Sequence, residues 1–435
     1  MGKYASANGV GFHWIATAIW IAASAIFSRA SAHAEPTLGD PLAEQRESSR
    51  LVAEFDIGTN GRLLLVPVRV ANEECQFVVD TGASLTALDQ RFSAKLTSVA
   101  GSVGLANSAG VVSAQLFECP HLAVGAAAIE LPGPIACCDL QPMRRATGLP
   151  IQGILGMDFL RSQVVQIDFD EGKLRFLGDG RKLSDYGQAH VLRCDAGGRP
   201  YLRCDLPRVA CEWFLLDTGA TSKTLRAAVF DRLAALNEIA LGTQSTAATV
   251  SGDVTVATGK LSRMRVGSFS HEGMIFARDA RESSLGIDYL RRFLLTLDFP
   301  RHTAYLAASK RHESPDDSRF IGFALTTEDG TVQVKSVLAA GPAAEAGVEA
   351  GDIILQARRQ PLQGKDLFQV REALTCVRQN SLELCLLRAG RVLHVMVIPR
   401  DRFAEFHEGA DRSRPTAANA LRHGESPSAA AAQIH

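Results

Sequence analysis

The 435 residues are enough for roughly two to four domains, each able to bury its own core. Charge is nearly balanced, with 46 Lys and Arg against 47 Asp and Glu, and the pI is near 6.8. That balance gives no electrostatic reason to expect nucleic acid or an anionic membrane as partner. An aromatic content of 6% argues against a platform for stacking bases.

Residues 1–34 have the pattern of an export signal. Lys3 supplies a positive start, residues 14–27 are apolar except for Thr17 and Ser24, and Ala32-His33-Ala34 offers a small-x-small cleavage site. The apolar stretch is short for a bilayer span, so a cleaved signal and a periplasmic or secreted chain are expected. The alternative is an uncleaved membrane anchor. Nine cysteines in an exported chain invite disulfides, while buried unpaired thiols are at least as good a reading. No C-x-x-C occurs, so neither a redox motif nor a zinc ribbon is supported.

Residues 35–50 are polar and without periodicity. From Arg62 the pattern changes: Val66, Val68 and Val70 alternate with Pro67 and Arg69, the period of a half-buried strand. A turn over residues 71–74 then leads into a returning strand, Cys75 to Val79, that ends on Asp80. The stretch reads Phe77-Val78-Val79-Asp80-Thr81-Gly82-Ala83-Ser84. Gly82 suits a tight bend because a residue without a β-carbon lets another backbone approach. Residues 85–150 are rich in small residues and fit short strands, with 104–117 as a mobile hairpin. Leu155-Gly156-Met157-Asp158-Phe159-Leu160 and a strand running to Phe169 follow.

The second part of the chain repeats this order. A hairpin over 201–216 ends in Phe214-Leu215-Leu216-Asp217-Thr218-Gly219-Ala220-Thr221, and residues 243–261 stand in the place of the first mobile hairpin. Leu285-Gly286-Ile287-Asp288-Tyr289-Leu290 matches the earlier Leu-Gly segment, and Thr296-Leu297-Asp298-Phe299 echoes Gln166-Ile167-Asp168-Phe169. Gly156 and Gly286 are 130 residues apart, as are Asp158 and Asp288. This is an internal duplication of a β-rich unit, spanning 50–183 and 188–308, and it implies two similar lobes. Asp158, Asp168, Asp288 and Asp298 repeat between the units at the ends of apolar segments and read as structural.

If the fold brings Asp80 and Asp217 face to face, the two carboxyls cannot both ionise and share one proton. Such a pair deprotonates a water with one member and protonates a carbonyl oxygen with the other, without a metal or cofactor. Thr81 and Thr218 are placed to bond across to the opposite loop. Ser84 and Thr221 are placed to orient the outer carboxylate oxygens. The two Asp-Thr-Gly loops and the Leu-Gly segments resemble the aspartic proteases of the retropepsin and pepsin clan. That resemblance covers roughly residues 50–308. It implies a mainly β chain of two closed β-barrel lobes with a cleft between them under a flap. Asp80 and Asp217 would be catalytic, and Thr81, Gly82, Ser84, Thr218, Gly219 and Thr221 would support the catalytic loops. Because both halves lie in one chain, the active site is expected within a monomer. Neither candidate flap contains the tyrosine of pepsin-like flaps, and alanines (Ala83, Ala220) follow the glycines where pepsin-like enzymes carry a hydroxyl. Losing a donor to the ionised pair should raise its pKa and shift activity to milder pH than pepsin's.

Residues 309–318 are charged and read as a linker. Short strands at 320–325, 332–337, 353–357, 382–387 and 392–397 and a helix over 364–377 follow. Ile321-Gly322-Phe323-Ala324-Leu325 and the run from Ala339 to Ile354 resemble a PDZ domain, small and α+β, over residues 318–400. The resemblance implies that a peptide C-terminus pairs with the strand after Ile321 and Gly322, with Phe323 and Leu325 lining the groove. Residues 401–435 are polar and Ala-rich and are expected to be disordered. No H-E-x-x-H, G-x-S-x-G or phosphate-binding glycine loop appears in the right context. The expected function is an exported aspartic endopeptidase acting on proteins or peptides, with a PDZ domain that recruits them. The alternative is a non-catalytic peptide-binding or scaffold protein using the cleft and the groove.

Overall fold

The computed structural model describes residues 20–22, 52–58, 63–107, 110–125, 127–178, 186–243, 245–249, 252–328, 330–375 and 380–404. The chain is mainly β, built from large multi-stranded sheets. In its first half the hairpin Leu65–Val70 and Glu73–Val79 forms as the alternation requires, with Val66, Val68 and Val70 buried on one face. The turn is tighter than expected, since the strand resumes at Glu73 and Ala71 takes the left-handed conformation. Ile151–Leu155 lies parallel to Glu73–Val79 and antiparallel to Ala87–Asp89, so the strand delivering Asp80 is flanked on both sides.

The second half repeats the arrangement. Pro200–Cys204 and Glu212–Leu216 form the hairpin, and Ser284–Leu285 runs parallel to Glu212–Leu216 and antiparallel to Thr224–Arg226. The halves meet in a shared sheet, in the order Ala53–Asp56, Lys173–Phe176, Val164–Asp168, Phe293–Asp298, Thr303–Ala308, Gln188–Cys194. The two echoed segments are its central pair, antiparallel with Gln166 opposite Thr296, and the Gln166 amide donates to the Thr296 hydroxyl at 3.1 Å. One apolar core runs through both halves, taking in Phe77, Leu155, Phe169, Phe214, Leu285 and Phe299. The expected mobile segments form antiparallel hairpins, Ser98–Asn107 with Gly110–Phe117 and Ser245–Thr249 with Gly252–Val256.

Beyond these halves a separate sheet runs Phe323–Glu328, Thr331–Val337, Ile353–Ala357, Leu382–Arg388, Arg391–Val397. With the helix Leu367–Leu374 it encloses its own core of Phe323, Leu325, Val334, Ile354, Val370 and Leu384 among others. The helix is shorter than the expected 364–377. Asp366 caps it, accepting from the Gln369 N–H at 2.9 Å while the Gln369 side chain accepts from the Asp366 N–H, and residues 376–379 lie outside the described residues.

Three expectations are corrected. Residues 85–150 are not all strand: Gln141–Thr147 is a helix, with Pro142 in its first turn and Gly148 closing it at φ 72°. Those two residues are the usual punctuation of a helix. Residues 309–318 are not a free tether. The Asp316 carboxylate accepts from the Ile275 N–H at 2.8 Å, and the His312 ring packs on Phe269, His271 and Phe293. The expected disordered tail begins with built-in residues. Arg400–Asp401 pairs with Arg319–Phe320, and Arg402 and Phe403 are buried, whereas 405–435 lie outside the described residues. Of the expected export signal only Trp20–Ala22 is described, as a strand antiparallel to Ser98–Asn107. Among the described residues no helix is long and apolar enough to cross a membrane, and the eight described cysteines are unpaired.

Candidate active site

The backbone requirement at the site is a pair of strands that end together and turn sharply. Asp80 closes Glu73–Val79, and its N–H donates to Leu155 O at 3.0 Å; Asp217 closes Glu212–Leu216, and its N–H donates to Leu285 O at 3.0 Å. In the first loop the N–H groups of Gly82 and Ala83 donate to Asp80 Oδ1 at 2.8 and 3.1 Å. In the second, those of Gly219 and Ala220 donate to Asp217 Oδ1 at 3.0 Å each. Each carboxylate is therefore held by its own loop in the same way.

The threonines lock one loop to the other. The Thr81 N–H donates to Thr218 Oγ1 at 3.0 Å and the Thr218 N–H to Thr81 Oγ1 at 3.1 Å. Thr81 Oγ1 donates to Leu216 O at 2.5 Å, and Thr218 Oγ1 to Val79 O at 2.7 Å. All four bonds are buried and reciprocal, which fixes the separation and twist of the loops. Gly219 is the point of closest approach: a β-carbon there would lie 2.3 Å from Asp80 Cγ. No other residue fits at that position.

The Leu-Gly segments support these loops from behind. A β-carbon on Gly156 would sit 2.4 Å from the Leu85 carbonyl carbon, and one on Gly286 2.4 Å from Ser222 O. The short helices that follow donate back to the loops: Met157 and Asp158 N–H to Ala83 and Ser84 O, and Ile287 and Asp288 N–H to Ala220 and Thr221 O. Ser84 departs from its expected role. Its hydroxyl makes no hydrogen bond with a described residue and lies against Gly197, where a β-carbon would approach it to 2.2 Å. The four repeated aspartates take structural roles. Asp158 accepts from Thr86, Asp288 pairs with Lys223, and Asp168 and Asp298 accept N–H groups of the turns that follow them.

Asp80 and Asp217 are 0% and 1% exposed. Burial pushes the Asp80 carboxyl well above the usual carboxylate range, and the nearby Asp217 charge adds to this; its two N–H bonds oppose the shift. Burial likewise pushes Asp217 up to about 7. Asp80 Oδ2 is buried without a hydrogen-bond partner among the described residues. A buried pair of this kind binds a proton well above the pH at which a free carboxylic acid would lose it.

One nearby group carried no sequence signal. Arg199, 8% exposed, donates to Asp195 Oδ2 at 2.7 Å and to Glu282 Oε1 at 3.2 Å, and its charge favours ionisation of both Asp80 and Asp217. Tyr201 donates to Glu282 Oε2 at 2.8 Å. Burial raises Glu282 to about 8, against the pull of Arg199 and the Tyr201 bond. Arg199, Tyr201 and Glu282 are spread over more than eighty positions with no shared periodicity, so only the fold collects them. Of the residues expected at a peptide groove, Gly322 adopts φ 85° and accepts from the Leu338 N–H at 2.8 Å. The carbonyl of Ile321 accepts from Ala343 at 2.8 Å, and Phe323 and Leu325 are buried in the C-terminal core. Among the described residues no cluster of His, Cys, Asp and Glu could hold a metal ion.

Two segments, residues 66–159 and 208–289, match the family model described as aspartyl protease. Each segment holds one Asp-Thr-Gly loop and one Leu-Gly segment, and the match supports a protease function. No curated protein matches the chain. Among solved structures, a photosystem II D1 C-terminal processing protease is 22% identical, covering 20% of this chain and 25% of its own, at a TM-score of 0.19. The HtrA3 PDZ domain bound to a phage-derived ligand (FGRWV) is 25% identical, covering 19% of this chain and 85% of its own, at a TM-score of 0.17. Over its two matched segments, the chain is similar to aspartyl proteases.

Proposed function

We propose that the chain is an exported aspartic endopeptidase in which Asp80 and Asp217 form one intramolecular catalytic pair, carried by two tandem retropepsin-like lobes. The reading rests above all on the reciprocal Thr81 and Thr218 bonds, which hold two buried, proton-retaining carboxyls at the junction of the two halves. With one proton shared, the ionised member takes a proton from a water between the carboxyls as its oxygen attacks the peptide carbonyl carbon. The protonated member gives its proton to the carbonyl oxygen. The product of this step is a gem-diol, and no bond forms between substrate and enzyme. Collapse of the gem-diol breaks the C–N bond: the pair's proton goes to the departing amine nitrogen, and one hydroxyl proton passes to the ionised member, so the pair again holds a single proton.

The raised affinity for the proton suits this chemistry to mild pH, since the pair holds its shared proton there. The C-terminal domain, PDZ-like in sequence, would bind peptide C-termini along Phe323–Glu328 and bring protein substrates to the cleft. The test is cleavage of an unfolded protein by the purified chain across pH 3 to 8, beside Asp80→Asn and Asp217→Asn. Cleavage by the wild type alone, extending above pH 5, is expected. Equal cleavage by wild type and variants, or none at any pH, overturns the reading.

A further inference from the structure

Among the described residues, the C-terminal sheet ends on Phe323–Glu328, which pairs only with Thr331–Val337 and so has a free edge. An uncovered edge strand is a template for any extended chain, and proteins cover such edges or use them for binding. Here the edge and the neighbouring helix Leu367–Leu374 form a groove, and the groove is filled by the chain itself. The helix Gln141–Thr147 of the first half lies against both walls. Ala146 O accepts from Arg371 Nη2 at 3.1 Å, and Gly148 follows so closely that a β-carbon on it would lie 3.1 Å from both Leu367 N and Thr327 Oγ1. Phe368 leaves its own domain: it is 8% exposed and packs with Leu140, Met143, Leu149 and Ile151, and it takes no part in the C-terminal core.

The cover is a helix, so it blocks the edge without satisfying it. Among the described residues no backbone hydrogen bond joins Gln141–Thr147 to Phe323–Glu328, and Thr327 Oγ1 is buried under the contact with no partner. An extended peptide pairing with the same edge would supply those bonds. The helix is also tied to the catalytic side. Arg144 Nη1 donates to Asp89 Oδ2 at 2.6 Å and to Ile151 O at 2.8 Å, and Ile151 begins the strand whose last residue, Leu155, receives the Asp80 N–H.

We propose that residues 140–149 are the internal occupant of the peptide groove, so that a peptide C-terminus binds only by displacing them. The proposal rests on the peptide-binding reading of the C-terminal domain given above. When the binding-competent form is a minor one, apparent affinity falls by its fractional population. Loosening the occupant therefore tightens peptide binding, and pinning it abolishes binding.

Binding of fluorescein-labelled decapeptides with a free apolar C-terminus, and of amidated controls, is measured on the full chain. Gly148→Val alters the occupant and leaves both groove walls intact; its β-carbon would meet Leu367 N and Thr327 Oγ1 at 3.1 Å, and it is expected to tighten binding about tenfold or more. Gly148→Cys combined with Thr327→Cys places two thiols within bridging reach. Once oxidised, with the 148–327 link verified by mass spectrometry, it is expected to lose binding and to regain it on reduction. Equal affinity in wild type and Gly148→Val, a link that leaves binding unchanged, or a pair that never links each overturns the occupant. Absence of binding in every form, with proteolysis intact, overturns the peptide-binding reading itself and the inference with it.

Discussion

The two halves answer the same structural demand with different chemistry. Six residues beyond Asp80 the first half has Thr86, six beyond Asp217 the second has Lys223, and each faces the aspartate of the following short helix. Thr86 satisfies Asp158 with its N–H at 2.9 Å and its hydroxyl at 2.6 Å, a neutral arrangement. Lys223, whose side chain is 1% exposed, sits 2.6 Å from Asp288 and 3.0 Å from Asp316, and Arg292 closes the group at 2.8 Å from Asp316. Backbone geometry is kept, because the Leu-Gly segment must reach the Asp-Thr-Gly loop in both. Side chains diverge between the halves: Thr86 satisfies Asp158 Oδ1 and Oδ2, whereas Lys223 reaches only Asp288 Oδ2 and Asp288 Oδ1 has no partner among the described residues. The charged solution in the second half also fastens the segment leading to the C-terminal domain.

Breaking the pair itself is the largest test of this symmetry. Asp80→Asn and Asp217→Asn are each expected to lower peptidase activity at least about 10³-fold, since acid and base are lost together. The same variants should be more stable than wild type at neutral pH. A carboxyl whose pKa is raised on folding binds more protons in the native state, so stability falls as pH rises from about 4, where the unfolded group titrates, toward the native value of about 7 for Asp217. The gain in melting temperature should therefore be clear at pH 7.5 and shrink toward pH 4. Thermal unfolding at both pH values reads it.

The halves should then part in their response to losing the supporting side chain. Lys223→Met leaves Asp288 without its cation and Asp316 with Arg292 as its one remaining cation in the group, and is expected to cost about 3–5 kcal/mol. Burial would raise Asp316, but Lys223, the Ile275 N–H and Arg292 hold it down at about 2. Its contribution is thus present above about pH 4 and is lost as pH falls toward 2. Thr86→Val removes one hydroxyl from a neutral group, with an expected loss of about 1–3 kcal/mol. Denaturant unfolding at pH 7 compares the two, and equal losses would contradict the distinction drawn between them. The smallest contrast lies in the loops, where symmetry is closest. Thr81→Val and Thr218→Val each remove a matched set of cross-loop bonds, so their stability losses should agree within about 0.5 kcal/mol.

Much of this was legible in sequence because the demands are local. A strand ending in Asp-Thr-Gly states its bend, its close approach and its acceptor within a few residues, and its repetition states the partner. The strand alternation around Val66, Val68 and Val70 and the echoed Gln166 and Thr296 segments were equally readable. The helix Gln141–Thr147 has Pro142 and Gly148 at its ends, but seven residues within a stretch of small residues carry too little periodicity to set it apart from the short strands around it. Ser84 differs from the expectation because its hydroxyl lies against Gly197, so the loop N–H groups hold Asp80 Oδ1 and Oδ2 has no partner among the described residues.

By itself, then, the sequence determined the β character, the duplication and the two aspartates, each through short-range stereochemistry or repetition. Only the tertiary structure decided that Arg199 and Glu282 lie near Asp80 and Asp217, that Asp316 completes the Lys223 group, and that Gln141–Thr147 packs against Phe323–Glu328 and Leu367–Leu374. Those contacts join positions far apart in the chain through charge and shape complementarity. Such complementarity leaves no periodicity along the sequence, so it exists only once the elements are packed.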